Sequence, residues 1–137
     1  MTSGINTREM IMEILLQIDE EGEHSHIAIR NALSKYQFLP KQDRAFITRV
    51  CEGTLEYRIQ IDYIINSFSK VTVDKMKPAI REILRSAVYQ LKYMDSVPDS
   101  AVCNEAVKLA QRKGFYNLKP FVNGVLRTIA REMDQVR

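Results

Sequence analysis

Apolar residues recur at helical spacing along most of this 137-residue chain. The longest such stretch runs from Lys77 to Met94, with Pro78 where the first turn of a helix tolerates proline. Its apolar positions follow a period of about 3.6 residues and are Ile80, Ile83, Leu84, Ala87, Val88 and Leu91. No stretch shows the strict apolar–polar alternation typical of a half-buried strand. The pattern predicts an all-α fold with this helix as its strongest element.

The first half of the chain predicts four helices before that one. The first begins at Asn6, an N-cap residue followed at capping-box spacing by Glu9, and it continues to Gly22. The other three are expected at residues 25–36, 43–57 and 61–68. Gly53 and Thr54 interrupt the helix expected at 43–57, because glycine and threonine both have low helix propensity.

Residues 69–74 break the helical period near the middle of the chain. The run Val71-Thr72-Val73 is β-branched, and such residues have little preference for a helix. Two helical halves are therefore expected, at about 1–70 and 71–137, within the single domain that this length indicates.

Two further helices follow the strongest one, which brings the predicted total to seven. Pro98 suits the entrance of the first, and Asp99 or Ser100 can cap it. Gly114 stands where a left-handed residue is wanted after the helix. The last helix presents apolar residues on one face, namely Phe121, Val125 and Ile129.

Two amides, Asn104 and Asn123, fall within or next to the apolar faces of these last helices. An amide in such a place is costly unless it is hydrogen-bonded. We therefore expect both to be structural, holding the two helices in register through side-chain hydrogen bonds. With Glu105, Phe121 and Gly124 they form the set of residues in these two helices to which we assign a structural role.

Several kinds of chemistry are not expected in this chain. Its five glycines never cluster, so no phosphate-binding loop is predicted, and no cofactor is expected. His24 and His26 offer too few ligands for a metal site. Cys51 and Cys103 lie far apart in helical patterns, which indicates buried structural thiols of a cytoplasmic protein. No catalytic residue is predicted, and no apolar run is long enough for a membrane span.

Basic residues offer two candidate surfaces for a polyanion, although the net charge is only +3. Residues 108–137 hold seven basic and two acidic side chains. The candidates from this segment are Lys108, Arg112, Lys113, Lys119, Arg127 and Arg131. A rival stripe of Lys77, Arg81 and Arg85, with Tyr89, Lys92 and Tyr93 further along, follows one side of the strongest helix. Cations bind phosphates and tyrosines stack on unpaired bases, but such side chains can also solubilise a surface or cover the edge of a core.

The triplet Asn104-Glu105-Ala106 and the block Phe121–Arg127 resemble the NusB family. The resemblance extends over essentially the whole chain and is most specific in its second half. It implies an all-helical RNA-binding domain of about seven helices in two packed subdomains.

Two branches of this family are implied by different motifs. The free-standing antitermination factors bind RNA with a ribosomal protein partner, and their first helix typically opens with an arginine-rich segment. Here only Arg8 stands at that end, followed by Glu9 and Glu13. The other branch is the N-terminal domain of ribosomal RNA cytosine-5 methyltransferases of the Sun/RsmB type. The segments that resemble it are residues 6–8, 16–22, 43–45, 52–55, 89–91, 97–99 and 121–127.

The second branch implies an RNA-binding or substrate-positioning domain with no activity of its own, because the methyl-transfer site belongs to a further domain. Its implied partners are ribosomal RNA and either that methyltransferase domain or a ribosomal protein. Two alternatives stay open. One is an antitermination factor acting in transcription complexes, and the other is a protein-interaction module with an apolar docking surface.

Overall fold

The computed structural model describes residues 6–22 and 26–136, with side chains up to Met133. Seven α-helices and no strand occur in these residues, which confirms the all-α prediction. The helices are α1 Thr7–Glu21, α2 His26–Leu33, α3 Lys41–Glu56, α4 Arg58–Phe68, α5 Pro78–Tyr93, α6 Asp99–Arg112 and α7 Lys119–Val136. Short 3-10 turns lie at Ser34–Tyr36, Val73–Lys75 and Tyr116–Leu118.

Helix α5, predicted as the strongest helix, is the centre of the fold. It packs against α1, α3, α4, α6 and α7, and its residues are buried on every side from Glu82 to Leu91. Polar side chains in this span have internal partners. Ser86 donates to the Ile83 carbonyl, and Gln90 donates to the Ser86 carbonyl while accepting from Arg8. A helix surrounded in this way requires such bonds, because an unpaired buried polar group is costly.

The ends of α1 follow the local signals in the sequence. The side chain of Asn6 accepts a hydrogen bond from the backbone N–H of Glu9 at 2.9 Å, so the predicted N-cap is confirmed. Gly22 adopts the left-handed conformation with φ of 69° and ends the helix. The Glu9 carboxylate, in contrast, lies beside Arg112 and Lys113 at the C-terminal end of α6. The Glu9 carboxylate, which a capping box would place at the N-terminus of α1, therefore forms tertiary ion pairs instead.

The ends of α6 agree with the sequence at one side and differ at the other. Neither Asp99 nor Ser100 caps the helix; Pro98 is the N-cap residue, and its carbonyl accepts from Val102. That prediction was wrong because the helix begins one residue earlier than a capping Asp99 would require. Gly114 has φ of 92°, which confirms the predicted left-handed residue after the helix.

The expected interruption of α3 at Gly53 and Thr54 was wrong, because the helix continues through both residues to Glu56. Both are buried. A side chain at Gly53 would overlap the ring of Tyr89, which packs directly against α3 at this point. Glycine is therefore used here for the close approach of α3 and α5, and its low helix propensity is overridden by packing.

The helix expected at residues 25–36 is divided in the structure. Helix α2 ends at Leu33 and the chain continues as a 3-10 turn to Tyr36. Ile29 is buried and Leu33 is half-buried. Position 25 and His24 lie outside the described residues.

Candidate nucleic-acid interface

Helices α6 and α7 pack side by side and run antiparallel. At one end of their contact, Lys119 Nζ lies 2.7 Å from Gln111 Oε1, and further along, Arg127 Nη2 lies 2.9 Å from Asn104 Oδ1. This register places Lys108 level with Asn123. We call the resulting surface the α6–α7 seam, and its residues are Asn104, Lys108, Gln111, Lys119, Asn123 and Arg127. All six are exposed or half-buried.

Arg127 links the two asparagines of the seam. Its Nε donates to Asn123 Oδ1 at 3.0 Å while its Nη2 donates to Asn104 on the neighbouring helix. The expectation that side-chain hydrogen bonds join these helices is thus met through an arginine, which the sequence analysis did not anticipate. The expectation of buried amides was wrong, because Asn104 is exposed and Asn123 is half-buried. Both amides fix the orientation of a guanidinium at the surface.

Because these amides are solvated, replacing Asn123 by leucine is expected to lower the free energy of unfolding by only about 0.5–1.5 kcal/mol, the net value of ordinary hydrogen bonds. Urea denaturation of the variant beside the parent measures this. Asn31→Leu, at an exposed helical amide of α2, is the matched control. A loss above about 3 kcal/mol, as for a buried charge-linked group, would contradict the solvated geometry.

An exposed aromatic ring adjoins one end of the seam. Tyr116 is 67% exposed, and Lys119 Nζ lies 4.6 Å from the centre of its ring. Cations and accessible aromatic rings together suit nucleic acid, because bases stack on rings while phosphates bind cations. Phe121, in contrast, is half-buried and packs against the core. Gly124 is exposed with open space around it, and the structure gives no packing reason for glycine there.

The remaining cations of the C-terminal set do not all join this surface. Arg112 Nη1 lies 3.2 Å from Glu9, and Lys113 Nζ lies 3.1 Å from Glu13, so both are turned towards α1. The hydrogen bond to Glu13 raises the pKa of Lys113, so the lysine stays protonated. The Glu13 carboxylate offsets its positive charge. Arg131 lies one turn beyond Arg127, is exposed, and has Glu132 at 3.7 Å. Within the seam itself, Lys108 has a 3.5 Å contact with Glu105.

The rival stripe on α5 is split between surface and interior. Lys77 is exposed, whereas Arg81 and Arg85 lie in a group of six charged side chains. We call this group the buried ion network, and its members are Asp19 of α1, Arg58 and Asp62 of α4, and Arg81, Glu82 and Arg85 of α5. Arg81 and Arg85 therefore lie at the edge of the core. This is the alternative to phosphate binding that the sequence analysis left open.

Arg85 is the hub of the buried ion network. Its side chain is 6% exposed, and it donates to both carboxylate oxygens of Asp62 at 2.8 Å and to Glu82 at 2.9 Å. Burial alone would lower the pKa of Arg85, but the Asp62 hydrogen bonds and the nearby carboxylates raise it. Burial raises the pKa of Glu82 to about 7, against the opposing effect of Arg85.

The cysteines are buried, as the sequence predicted. Burial raises the pKa of both the Cys51 and Cys103 thiols, and a protonated thiol is a poor nucleophile. Within residues 6–22 and 26–136, no three side chains of His, Cys, Asp or Glu are grouped to hold a metal ion. His26 instead lies 2.8 Å from Glu52. In the same part of the chain, no helix has the length and apolar character to cross a membrane.

The outer face of α3 is a surface that the sequence analysis missed. It carries Lys41, Arg44 and Arg49, spaced three and then five residues apart along one helix. Their recurrence along one helix is the kind of pattern that identified the α5 stripe, so the sequence did contain the signal. They line an open groove together with Thr48 and Tyr89.

Comparisons with known proteins agree on one family. The profile of the NusB family matches residues 5–131. The probable ribosomal RNA small subunit methyltransferase B of Bacillus subtilis is 32% identical over 93% of this chain, and that of Synechocystis is 34% identical over 96%. The chain spans only 28% and 29% of the lengths of these two relatives. The transcription antitermination protein NusB of Bacillus velezensis is 33% identical over 93% of the chain and 95% of its own length.

Two solved structures share the fold. T. maritima NusB superposes with a TM-score of 0.81 at 26% identity, covering 92% of this chain and 89% of that one. A crystal structure of the antitermination factors NusB and NusE in complex with double-stranded RNA superposes with a TM-score of 0.82 at 22% identity, covering 91% of this chain and 93% of that one. The second likeness concerns the fold alone.

Proposed function

Because this chain belongs to the NusB family, we propose that it is a non-catalytic RNA-binding domain whose α6–α7 seam contacts the phosphate backbone. The observation that carries the proposal is the geometry of Arg127, which is oriented at the surface by Asn104 and Asn123. A guanidinium held in place by two amides loses little further freedom when it binds a phosphate. Lys108 and Lys119 extend the same surface to the exposed ring of Tyr116.

We further propose that the domain positions ribosomal RNA for a cytosine-5 methyltransferase. The two methyltransferase relatives support this role, although they match over less than a third of their length. The packing also supports it, because residues 52–55 and 89–91, which resemble that branch, meet where Tyr89 covers Gly53. At the start of α1, Glu9 and Glu13 neutralise Arg112 and Lys113. This acidic character differs from the arginine-rich opening typical of antitermination factors.

An antitermination factor is the second candidate function. The Bacillus velezensis relative favours it, since that match covers 95% of the relative's own length at 33% identity. The two candidate functions predict different native genes. The gene of a methyltransferase would continue beyond codon 137 into a domain that binds S-adenosylmethionine. They also differ in partner, because an antitermination factor is expected to bind a ribosomal protein.

A protein-docking role is favoured by one apolar surface. Ile59 and Tyr63, one turn apart on α4, are 90% and 71% exposed. A methyltransferase domain or a ribosomal protein could cover such a surface, and this role is compatible with RNA binding at the seam.

Replacing Lys108, Lys119 and Arg127 together by glutamine is expected to weaken binding of a ribosomal RNA fragment at low salt. Each phosphate contact removed should flatten the log–log dependence of affinity on salt by about 0.7–0.9, because fewer counterions are released. Fluorescence anisotropy titrations at several sodium chloride concentrations measure both quantities. A control variant removes three other exposed lysines: Lys35, Lys70 and Lys75.

The proposal requires the seam variant to differ from this control. Equal affinity and equal salt slope in the two variants would show that the seam cations only solubilise the domain. A parent chain that binds neither structured nor single-stranded ribosomal RNA would remove the RNA-binding proposal altogether, and the docking role would replace it.

A further inference from the structure

The outer face of α3 forms the floor of a continuous groove. A cavity of about 670 Å³ lies between α3 and Tyr89 of α5, and a second of about 320 Å³ lies between α3 and α2. Arg44, Thr48 and Glu52 line both cavities, so the two are joined. The 16 residues of α3 give the groove a length of about 24 Å. This is long enough to hold several nucleotides of an extended strand, but it is open and shallow compared with an enclosed small-molecule site.

Three cations of this groove have no carboxylate partner among the described residues. Lys41 and Arg49 are exposed, and the only hydrogen bond found for the Arg49 side chain is to the Tyr93 carbonyl, at 3.1 Å. Arg44 is half-buried, and its Nε is shielded from solvent with no hydrogen-bond acceptor in the described structure. An unpaired donor of this kind is costly. The side chain of Arg44 lines the groove, so a phosphate entering there would offer anionic oxygens to the other N–H donors of its guanidinium.

A column of three tyrosines stands at one side of the groove. Tyr89 packs on Gly53, Tyr93 stacks on Tyr89 with ring centres 5.2 Å apart, and Tyr57 stacks on Tyr93 at 4.5 Å. Tyr57 is the outermost ring and is 37% exposed. Lys92 lies 5.5 Å from the ring centre of Tyr93. A stacked column with an accessible outer ring and adjacent cations is the arrangement on which unpaired bases stack.

The acidic residues of the groove limit the possible ligands. Glu52 is held by His26 at 2.8 Å, whereas Glu56 is exposed. The three cations Lys41, Arg44 and Arg49 outnumber the two carboxylates of the groove, and this excess of positive charge favours an anionic partner over a basic peptide.

We propose that the α3 groove and its tyrosine column bind single-stranded RNA, with phosphates along Lys41, Arg44 and Arg49 and an unpaired base stacked on Tyr57. This inference rests on the proposed RNA-binding function and adds a second surface on different helices from the α6–α7 seam. An RNA engaging both surfaces would present an unpaired segment to α3 and a phosphate backbone to the seam.

The test uses the full chain and a fluorescein-labelled single-stranded RNA of about 12 nucleotides, a length within the range of single-strand binding sites. Lys41→Ala combined with Arg49→Gln is expected to flatten the log–log salt slope by about 1.4, since each single-strand contact contributes about 0.7. Lys70→Ala combined with Lys75→Ala removes the same charge elsewhere and should leave the slope unchanged. Thermal melts followed by circular dichroism establish that each variant is folded.

Stacking is tested separately from charge. Tyr57→Leu is expected to weaken single-strand affinity roughly 5- to 150-fold, the range for loss of one base–aromatic stack, with the salt slope unchanged. Tyr57→Phe keeps the ring and should bind like the parent. The same RNA annealed to its complement should be insensitive to Tyr57→Leu, because its bases are paired.

The outcomes separate this inference from the proposed function. If seam substitutions weaken RNA binding while the α3 and Tyr57 variants match the parent, the α3 inference is overturned and the seam proposal stands. The groove would then be assigned to a protein partner. Equal losses for single-stranded and duplex RNA with Tyr57→Leu would also overturn it. A parent chain that binds no RNA removes both proposals together.

Discussion

Replacing Arg85 by alanine is expected to lower the free energy of unfolding by about 3–5 kcal/mol, the usual cost of removing one partner of a buried ion pair. Arg85 neutralises Asp62 and Glu82 through three hydrogen bonds shorter than 3 Å. Its loss leaves Glu82, with a side chain only 3% exposed, with the longer 3.6 Å contact to Arg81 and with the Asp19 carboxylate nearby. Urea denaturation at pH 7 measures the change, and the thermal midpoint should fall on the order of 10 °C.

Two further variants distinguish charge from packing at this position. Arg85→Lys keeps the charge but cannot reproduce the paired contacts with Asp62, so an intermediate loss is expected. Arg85→Met combined with Glu82→Leu removes the two most buried charges together and should recover part of the stability lost in Arg85→Ala, since Asp62, which loses its partner, is 21% exposed. A loss below about 1 kcal/mol for Arg85→Ala would mean that the network is solvated like a surface ion pair.

Stability should also decrease as pH rises from about 4.5 to about 7, through the titration of Glu82. Burial raises the pKa of this carboxyl in the folded protein to about 7 from an ordinary value of 4.5. Between these two values the folded state binds the proton more tightly than the unfolded state does. Stability that is present at pH 4.5 is therefore lost as pH approaches 7, by up to about 3 kcal/mol.

The Glu82→Gln variant isolates this effect because glutamine is close in shape and does not titrate. Urea denaturation of parent and variant at stepped pH should show the parent losing about 3 kcal/mol more than the variant between pH 4.5 and 7.5. Asp95→Gln, at an exposed carboxyl, is a control that should track the parent. Parallel curves for parent and Glu82→Gln would show that Glu82 titrates alike in the folded and unfolded states.

The seam was only partly predictable from sequence. The sequence identified its cations, its asparagines and the two consecutive helices that carry them. It could not show that Arg127 joins Asn104 to Asn123, because that contact depends on the register of two helices separated by a loop. Nor could it separate Lys108, Lys119 and Arg127 from Arg112 and Lys113. The difference arises from carboxylates on α1, about one hundred residues earlier in the chain.

Features that form within a few turns of one helix could be predicted from the amino-acid sequence. Apolar periodicity predicted the all-α class and the long helix α5, while Asn6, Gly22 and Gly114 mark helix ends through contacts with their own turns. Which charged side chains face water, in contrast, depends on how the helices pack together. Arg81 and Arg85 have the spacing of a surface stripe, yet Asp19 and Asp62 of other helices draw them inward. Gly53 was expected to interrupt α3, but the helix continues through it because Tyr89 packs against the glycine. Periodicity assigns a side chain to a helix face, but the helices packed against that face determine its burial and its partners.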